Sequence, residues 1–196
     1  MVTIRQADPA DRARVVRTMT RAFIADPLIR WFFPDDDTYE DEAALFFGVM
    51  FELRVDAGSV WCTDDVAGAA CWEGPDGHPR GKDWMDTSWS QGMASLPQRA
   101  RDRLDQVGAA TSPHAAPTPR WYLALLGTHP DWQRQGLGRA VLTPVLEVAD
   151  RDGLHAELVT ESPENVAFYR GLGFDVAAEP ELDGGPHIWV MHRSPR

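Results

Sequence analysis

The sequence predicts one mixed α/β domain with a sheet of about seven strands, and three observations carry that expectation. The chain has 196 residues, enough for a single domain with its own core. Strand-like and helix-like stretches follow one another as β-α-α-β-β, an insertion, then β-α-β-α-β-β, with no internal repeat and no dividing linker. The run RWYLALLGT, residues 120–128, is apolar almost throughout, the pattern of a strand buried on both faces.

Residues 2–7 (VTIRQA) alternate and read as the first strand. Asp8 stands as the cap of a helix, with Pro9 at its first position and Asp11 in the capping-box place. Val15, Val16, Met19, Ala22 and Phe23 give that helix an apolar face. Pro27 and Pro34 bracket an aromatic loop, and Thr38 caps a second helix that runs to about Gly58. SVWCTDD and GAACWEG read as a hairpin pair. The insertion, about residues 75–119, is rich in Pro, Gly and polar residues around one helix near 95–107. After the central strand a glycine-bearing turn opens a long helix that stops at Gly153. HAELVTE is the next strand, Ser162 caps a short helix with Pro163 at its first position, and FDVAAE and PHIWVMH close as strands.

The balance of 19 basic against 30 acidic residues gives a net charge of -11. That argues against nucleic acid as a partner and favours a neutral or cationic substrate. An anionic cofactor can bind only where positive potential is locally concentrated. No apolar run is long enough for a membrane span, and the first six residues carry no apolar signal core, so a cytoplasmic location is expected. Cys62 and Cys71 lack a metal-like spacing and the histidines are scattered; free thiols and no metal site are expected.

The stretch DWQRQGLGRAVL, residues 131–142, supplies such a concentration. A helix start presents unpaired N–H groups and positive dipole potential. Gly136 and Gly138 let the backbone approach an anion closely. Arg134 and Arg139 add charge, and Gln133 and Gln135 add donors. A pyrophosphate fits the loop. It is no Walker A motif, which needs Gly-Lys-Ser/Thr, and no dinucleotide fingerprint, since Val141 stands where a third small residue is required. Further on, ESPENVAFYRGLGF places Asn165 and Tyr169 four apart, on one face of a short helix.

Together, Gln133-x-x-Gly136-x-Gly138, Asn165-x-x-x-Tyr169 and Gly171-Leu172-Gly173-Phe174 resemble the GNAT superfamily of acyl-CoA-dependent N-acyltransferases, and the element order resembles it over nearly the whole chain. A narrower likeness is to puromycin N-acetyltransferase and its relatives. WYLALLGTHPDWQRQGLGRAVL, NVAFYRGLGF and GPHIWVMHRSP carry it, with VRTMTRAF and the His114…Pro117…Pro119…Trp121 approach to the central strand.

The resemblance implies a mostly antiparallel sheet whose central strands splay to admit acetyl-CoA. Leu126, Gly127 and Thr128 would line pantetheine; Gln133, Arg134, Gln135, Gly136, Leu137, Gly138 and Arg139 would hold the pyrophosphate. Asn165 would bond the pantetheine arm, and Tyr169 would protonate the leaving thiolate. Relatives often carry Leu-Glu-Thr in the strand before the tyrosine helix, where this chain has Leu158-Val159-Thr160. The missing carboxylate moves the base elsewhere: Glu161 is favoured, sharing a strand face with Glu157, and Glu73, Asp26 and His114 are the alternatives. Trp31, Phe32, Phe33 and Trp72 could wall an acceptor whose ammonium meets Asp26 or Glu73; Trp84 and Trp89 of the insertion are further candidates.

The function expected is acetyl transfer to the amine of a small molecule, an antibiotic or a metabolite, by a monomer or homodimer. A peptide or protein amine is the alternative, and a non-catalytic acyl-CoA-binding module a third reading. Tyr169 and the intact loop speak against the last.

Overall fold

In the computed structural model, which describes residues 2–196, seven strands form one sheet in the order β1-β2-β3-β4-β5-β7-β6. They are β1 (Ile4–Gln6), β2 (Val60–Thr63), β3 (Gly68–Glu73), β4 (Arg120–Thr128), β5 (His155–Thr160), β6 (Asp175–Ala178) and β7 (Trp189–Arg193). Only β4 and β5 run parallel. The helices α1 (Arg12–Ala22), α2 (Pro27–Phe32), α3 (Tyr39–Val55), α4 (Lys82–Ala94) and α5 (Gln98–Thr111) cover one face. There Met19, Phe32, Phe47 and Met93 pack with Cys71 and Leu125. The helices α6 (Leu137–Asp152) and α7 (Pro163–Arg170) cover the other, where Val141, Leu142 and Val166 pack with Trp72, Leu123 and Leu158. No described helix is long and apolar enough to cross a membrane.

The capping box at Asp8 is present: its side chain accepts from Ala10 N at 2.8 Å, and Asp11 accepts from Asp8 N at 3.0 Å. Three expectations need correction. The bracket between Pro27 and Pro34 is helical, because Asp26 accepts from the amides of Leu28 and Ile29 and Pro27 sits where a missing N–H costs nothing. Thr38 makes no side-chain cap, and its helix ends at Val55. The insertion holds two helices, α4 and α5, with Pro97 at the start of the second. The first shows no stripe in the sequence because Met93 is its only buried residue.

One irregularity in β4 positions the site. Cys71 faces Leu125 while Trp72 faces Leu123, so Ala124 is the extra residue of a β-bulge. The pairing of β4 with β5 ends at Leu123, and Val159 and Thr160 pair with β7 alone. From Ala124 to Thr128 the β5-facing edge of β4 therefore has no strand partner. Bulges bend the strand that carries them, and here the bend coincides with the parting of the two strands.

Candidate active site

The gap opens toward the residue 131–139 loop. After a turn at Pro130–Trp132, Arg134 and Gly136 take left-handed conformations with φ of 60° and 83°. Gly136 is the N-cap of α6, which has no side-chain cap. Among the described residues the amides of Leu137, Gly138 and Arg139 meet no acceptor, so three N–H groups point out of the helix start. A Cβ on Gly136 would meet no atom within 4 Å; one on Gly138 would stand 3.6 Å from the Phe168 ring. Gln133 Nε2 donates to Thr128 O at 3.3 Å and an Arg139 guanidinium nitrogen to Gly171 O at 3.3 Å, tying the loop to β4 and to the end of α7. Bare amides and exposed arginines beside an unpaired strand edge suit a molecule that carries a pyrophosphate on an extended arm.

Behind the gap lies a cavity of about 460 Å³, floored by β4 and roofed by α2, α3, α4 and α5. Tyr169 reaches it from α7 and is 7% exposed. Phe168 and Phe174 hold its ring edge-on, with centroids at 5.1 and 5.7 Å. Its hydroxyl makes no hydrogen bond among the described residues. Burial, then the nearby Glu161 and Asp26, raise the phenol well above its ordinary pKa, so it is a proton donor at neutral pH. Asn165, one turn earlier, lines the same wall, and Ser162 anchors the helix by accepting from Asn165 N at 3.1 Å.

Glu161 follows the last residue of β5 and turns into the cavity toward Asp26. Burial, and then a hydrogen bond shared with Asp26, push its carboxyl up to about 10. Asp26 is fixed from behind, since its Oδ1 accepts from Leu28 N at 3.0 Å and Ile29 N at 2.8 Å. Three separate segments thus bring a phenol and two carboxyl groups to one hollow.

A sequence profile of the acetyltransferase (GNAT) family matches residues 25–174, well over half of the chain. The chain belongs to the GNAT acetyltransferase family. It is an acyltransferase, and its open seven-stranded sheet is the GNAT fold. Among solved structures it is similar to a Corynebacterium glutamicum protein described as histone acetyltransferase HPA2 and related acetyltransferase. They share 24% identity over 100% of this chain and 97% of that one, with a TM-score of 0.72. The polyamine N-acetyltransferase of Drosophila melanogaster is 14% identical over 98% of both chains, at 0.62. A mosquito arylalkylamine N-acetyltransferase-like protein is 14% identical over 99% of this chain and 100% of that one, at 0.58. At these identities the likeness is one of fold.

Within this GNAT domain some expected acceptor residues lie apart from the cavity. Phe32 lines it. Trp31 does not; it packs outside on Phe32, with the Arg103 guanidinium 5.1 Å over its ring. Trp72 cannot wall an acceptor. It is fully buried on the opposite face of the sheet, edge-on to Trp121 at 6.4 Å. Plain strand alternation sets the parity: Ala69 and Cys71 face the α1–α3 side, so Ala70 and Trp72 face α6. Phe33 is likewise sealed in the core. Glu73 stands at the far end of the cavity, half exposed and 3.7 Å from Arg54. Glu157 shares the strand face of Glu161 but is engaged by Arg120 Nε at 2.8 Å and Ala116 N at 2.5 Å. His114 is exposed and outside the cavity, and Trp84 stacks on His78 at 4.1 Å. Trp89 does line the wall.

Sequence reasoning missed Phe23, Phe46, Met50, Arg54 and Tyr122, all on the cavity wall. One signal was available: in the run FFGVMFELRV, whose only other charge is Glu52, Arg54 follows Phe47 and Met50 at helical spacing, an odd place for a charge. Among the described residues no group of three or more His, Cys, Asp or Glu side chains is placed to hold a metal ion.

Proposed function

We propose that this protein transfers the acetyl group of acetyl-CoA directly to the amine of a small molecule. The observation that carries the reading is the meeting of Tyr169, Glu161 and Asp26 in an apolar cavity beside the unpaired edge of β4. Residues 133–139 would hold the pyrophosphate, the β4 edge over Leu126, Gly127 and Thr128 the pantetheine, and Asn165 its amide. Acetyl-CoA, when bound, supplies a thioester carbonyl.

The chain's own groups then handle protons. An ammonium entering the cavity meets the Asp26–Glu161 pair. Its positive charge favours ionised carboxylates there, and the Glu161 proton and then one proton of the ammonium leave to solvent, so that a neutral amine with a free lone pair remains. Glu161 next takes the proton that the amine must lose as its nitrogen bonds to the carbonyl carbon. The carbon–sulfur bond breaks and the electron pair stays on sulfur. Tyr169 delivers its proton there and regains one through Glu161, so one amine proton ends on the thiol. Neither buried cysteine is needed as a nucleophile, since direct attack requires no acyl-enzyme.

The roof formed by α4 and α5 encloses the cavity and favours a small acceptor over a protein surface. The narrower likeness to puromycin N-acetyltransferase, read from motifs in the C-terminal half, agrees with an apolar amine of antibiotic type. An assay of free thiol release with acetyl-CoA and a panel of apolar primary amines tests the proposal. Amine-dependent release is expected, falling steeply in Glu161→Gln. Binding of acetyl-CoA without release for any amine would reduce the protein to a carrier of the thioester.

A further inference from the structure

The cavity has a second end. Its floor, β4, separates Tyr122 from Leu125 and Leu126 by three to four residues, roughly 10–13 Å. Tyr169, Glu161 and Asp26 mark the reacting end; Arg54 and Tyr122 mark the other. Arg54 is 5% exposed. One terminal nitrogen donates to Met50 O at 3.1 Å, the other lies 3.7 Å from Glu73 Oε2, and Nε has no partner. A guanidinium carries five donors, and a buried charge left so poorly partnered is costly. Glu73 neutralises it only in part, because its side chain is 50% exposed and its charge is screened by water. Beside it the Tyr122 hydroxyl makes no hydrogen bond among the described residues. Burial pushes that phenol up to about 12, so at neutral pH it donates rather than ionises. Asp86, also on the wall, is paired with Lys82.

We propose that the natural acceptor is an ω-amino acid in the broad sense: an amine at one end, an apolar body, and a carboxylate at the other that Arg54 and Tyr122 receive. The amine would lie at the Asp26–Glu161 pair and the body against Phe32, Phe46 and Trp89. This rests on the transferase reading above and names the substrate class for the same cavity. A diamine fits less well, since its second ammonium would stand against the buried Arg54 charge. A plain alkylamine would leave Arg54 as under-partnered as before.

The probes are 8-aminooctanoate, octylamine and 1,8-diaminooctane, with thiol release measured for turnover and calorimetry for binding. In the wild-type protein 8-aminooctanoate should exceed octylamine by about 10- to 100-fold in both affinity and kcat/KM, the range of a charge-assisted bond. The diamine should be weakest. Arg54→Met should bring the 8-aminooctanoate to octylamine ratio toward one, and Tyr122→Phe should lower it less. Glu73→Gln should raise it, because a competing carboxylate is gone; this variant and the wild-type ratio keep the test alive if Arg54→Met does not fold. Equal affinities for the amino acid and the alkylamine, or a preference for the diamine, would overturn the assignment. Thiol release from every amine without a carboxylate preference would overturn it while sparing the transferase reading. A carboxylate preference in binding with no thiol release would support Arg54 and count against the transfer.

Discussion

The two sides of the gap between β4 and β5 are built by different means. The side that faces the 131–139 loop is contiguous in sequence and works through the main chain: a left-handed Gly136, three bare amides and a strand edge released by one bulge. The opposite side is assembled from side chains of α2, α3, α4 and α5, of β4, and of the turn after β5. Substitutions should therefore be felt differently on the two sides. Changes on the first side should alter affinity through backbone geometry; changes on the second should alter rate and acceptor choice through side-chain chemistry.

The sharpest way to break that division is at Tyr169, which belongs to both sides. Tyr169→Phe should lower turnover by about 10²–10⁴-fold while acetyl-CoA affinity stays as it was. Wild-type turnover under conditions where chemistry limits the rate would remove the phenol from the reaction.

A smaller effect separates cofactor contacts from mere backbone strain. Gly136→Val puts a β-branched residue at φ 83°, in open space beside the bare amides. It should weaken acetyl-CoA binding by about 10- to 100-fold, the worth of lost charge-assisted bonds. Gly153→Val, at φ 68° at the other end of the same helix and equally open, carries similar strain without the ligand. It should lower Tm and leave that affinity unchanged; equal losses of affinity in both variants would reduce Gly136 to a helix signal.

Two tryptophans sharpen the acceptor side. Trp89→Ala should raise the acceptor KM with little loss of stability, because that ring is half-buried on the cavity wall. Trp72→Ala should do the reverse, costing about 3–5 kcal/mol of stability with KM unchanged. An acceptor KM that followed Trp72 would reverse the placement of the two faces.

The last effect concerns charge and is read in stability alone. Glu161 ionises near 4.5 in the unfolded chain and near 10 in the folded one, so folding takes up a proton between those values. Its contribution is full below pH 4.5 and is lost as pH rises toward 10. Glu161→Gln should therefore melt higher than wild type, by an amount that grows from pH 5 to pH 9. Each kcal/mol recovered should appear as about 2–4 °C in Tm. A gain that shrank with pH would mean that the carboxylate is stabilised in the fold.

The same division decided what could be read in advance. The central strand, the glycine turn that opens α6 and the Asn165–Tyr169 helix were legible because each is specified by neighbours within about ten residues. Ser162, Pro163 and Gly136 act through local caps and dihedrals. The departure at Val159 pointed to Glu161, which lies on the cavity wall just past the end of β5. Its pairing with Asp26 was not legible, since a turn between two helices and a strand end meet only after the sheet is folded. Trp72 was misplaced because alternation divides β3 into two faces without saying which of them meets the cavity. The helix α4 escaped because a half-buried roof carries no apolar stripe.

In the proposed reaction acetyl-CoA enters the gap as the missing neighbour of β4. A crystal structure with CoA bound tests it most directly. The expected result is pantetheine along the released edge from Ala124 to Thr128, the pyrophosphate on the amides of Leu137, Gly138 and Arg139, and the sulfur directed at the Tyr169 hydroxyl. A pyrophosphate seated away from that loop, or a sulfur outside reach of Tyr169, would contradict it.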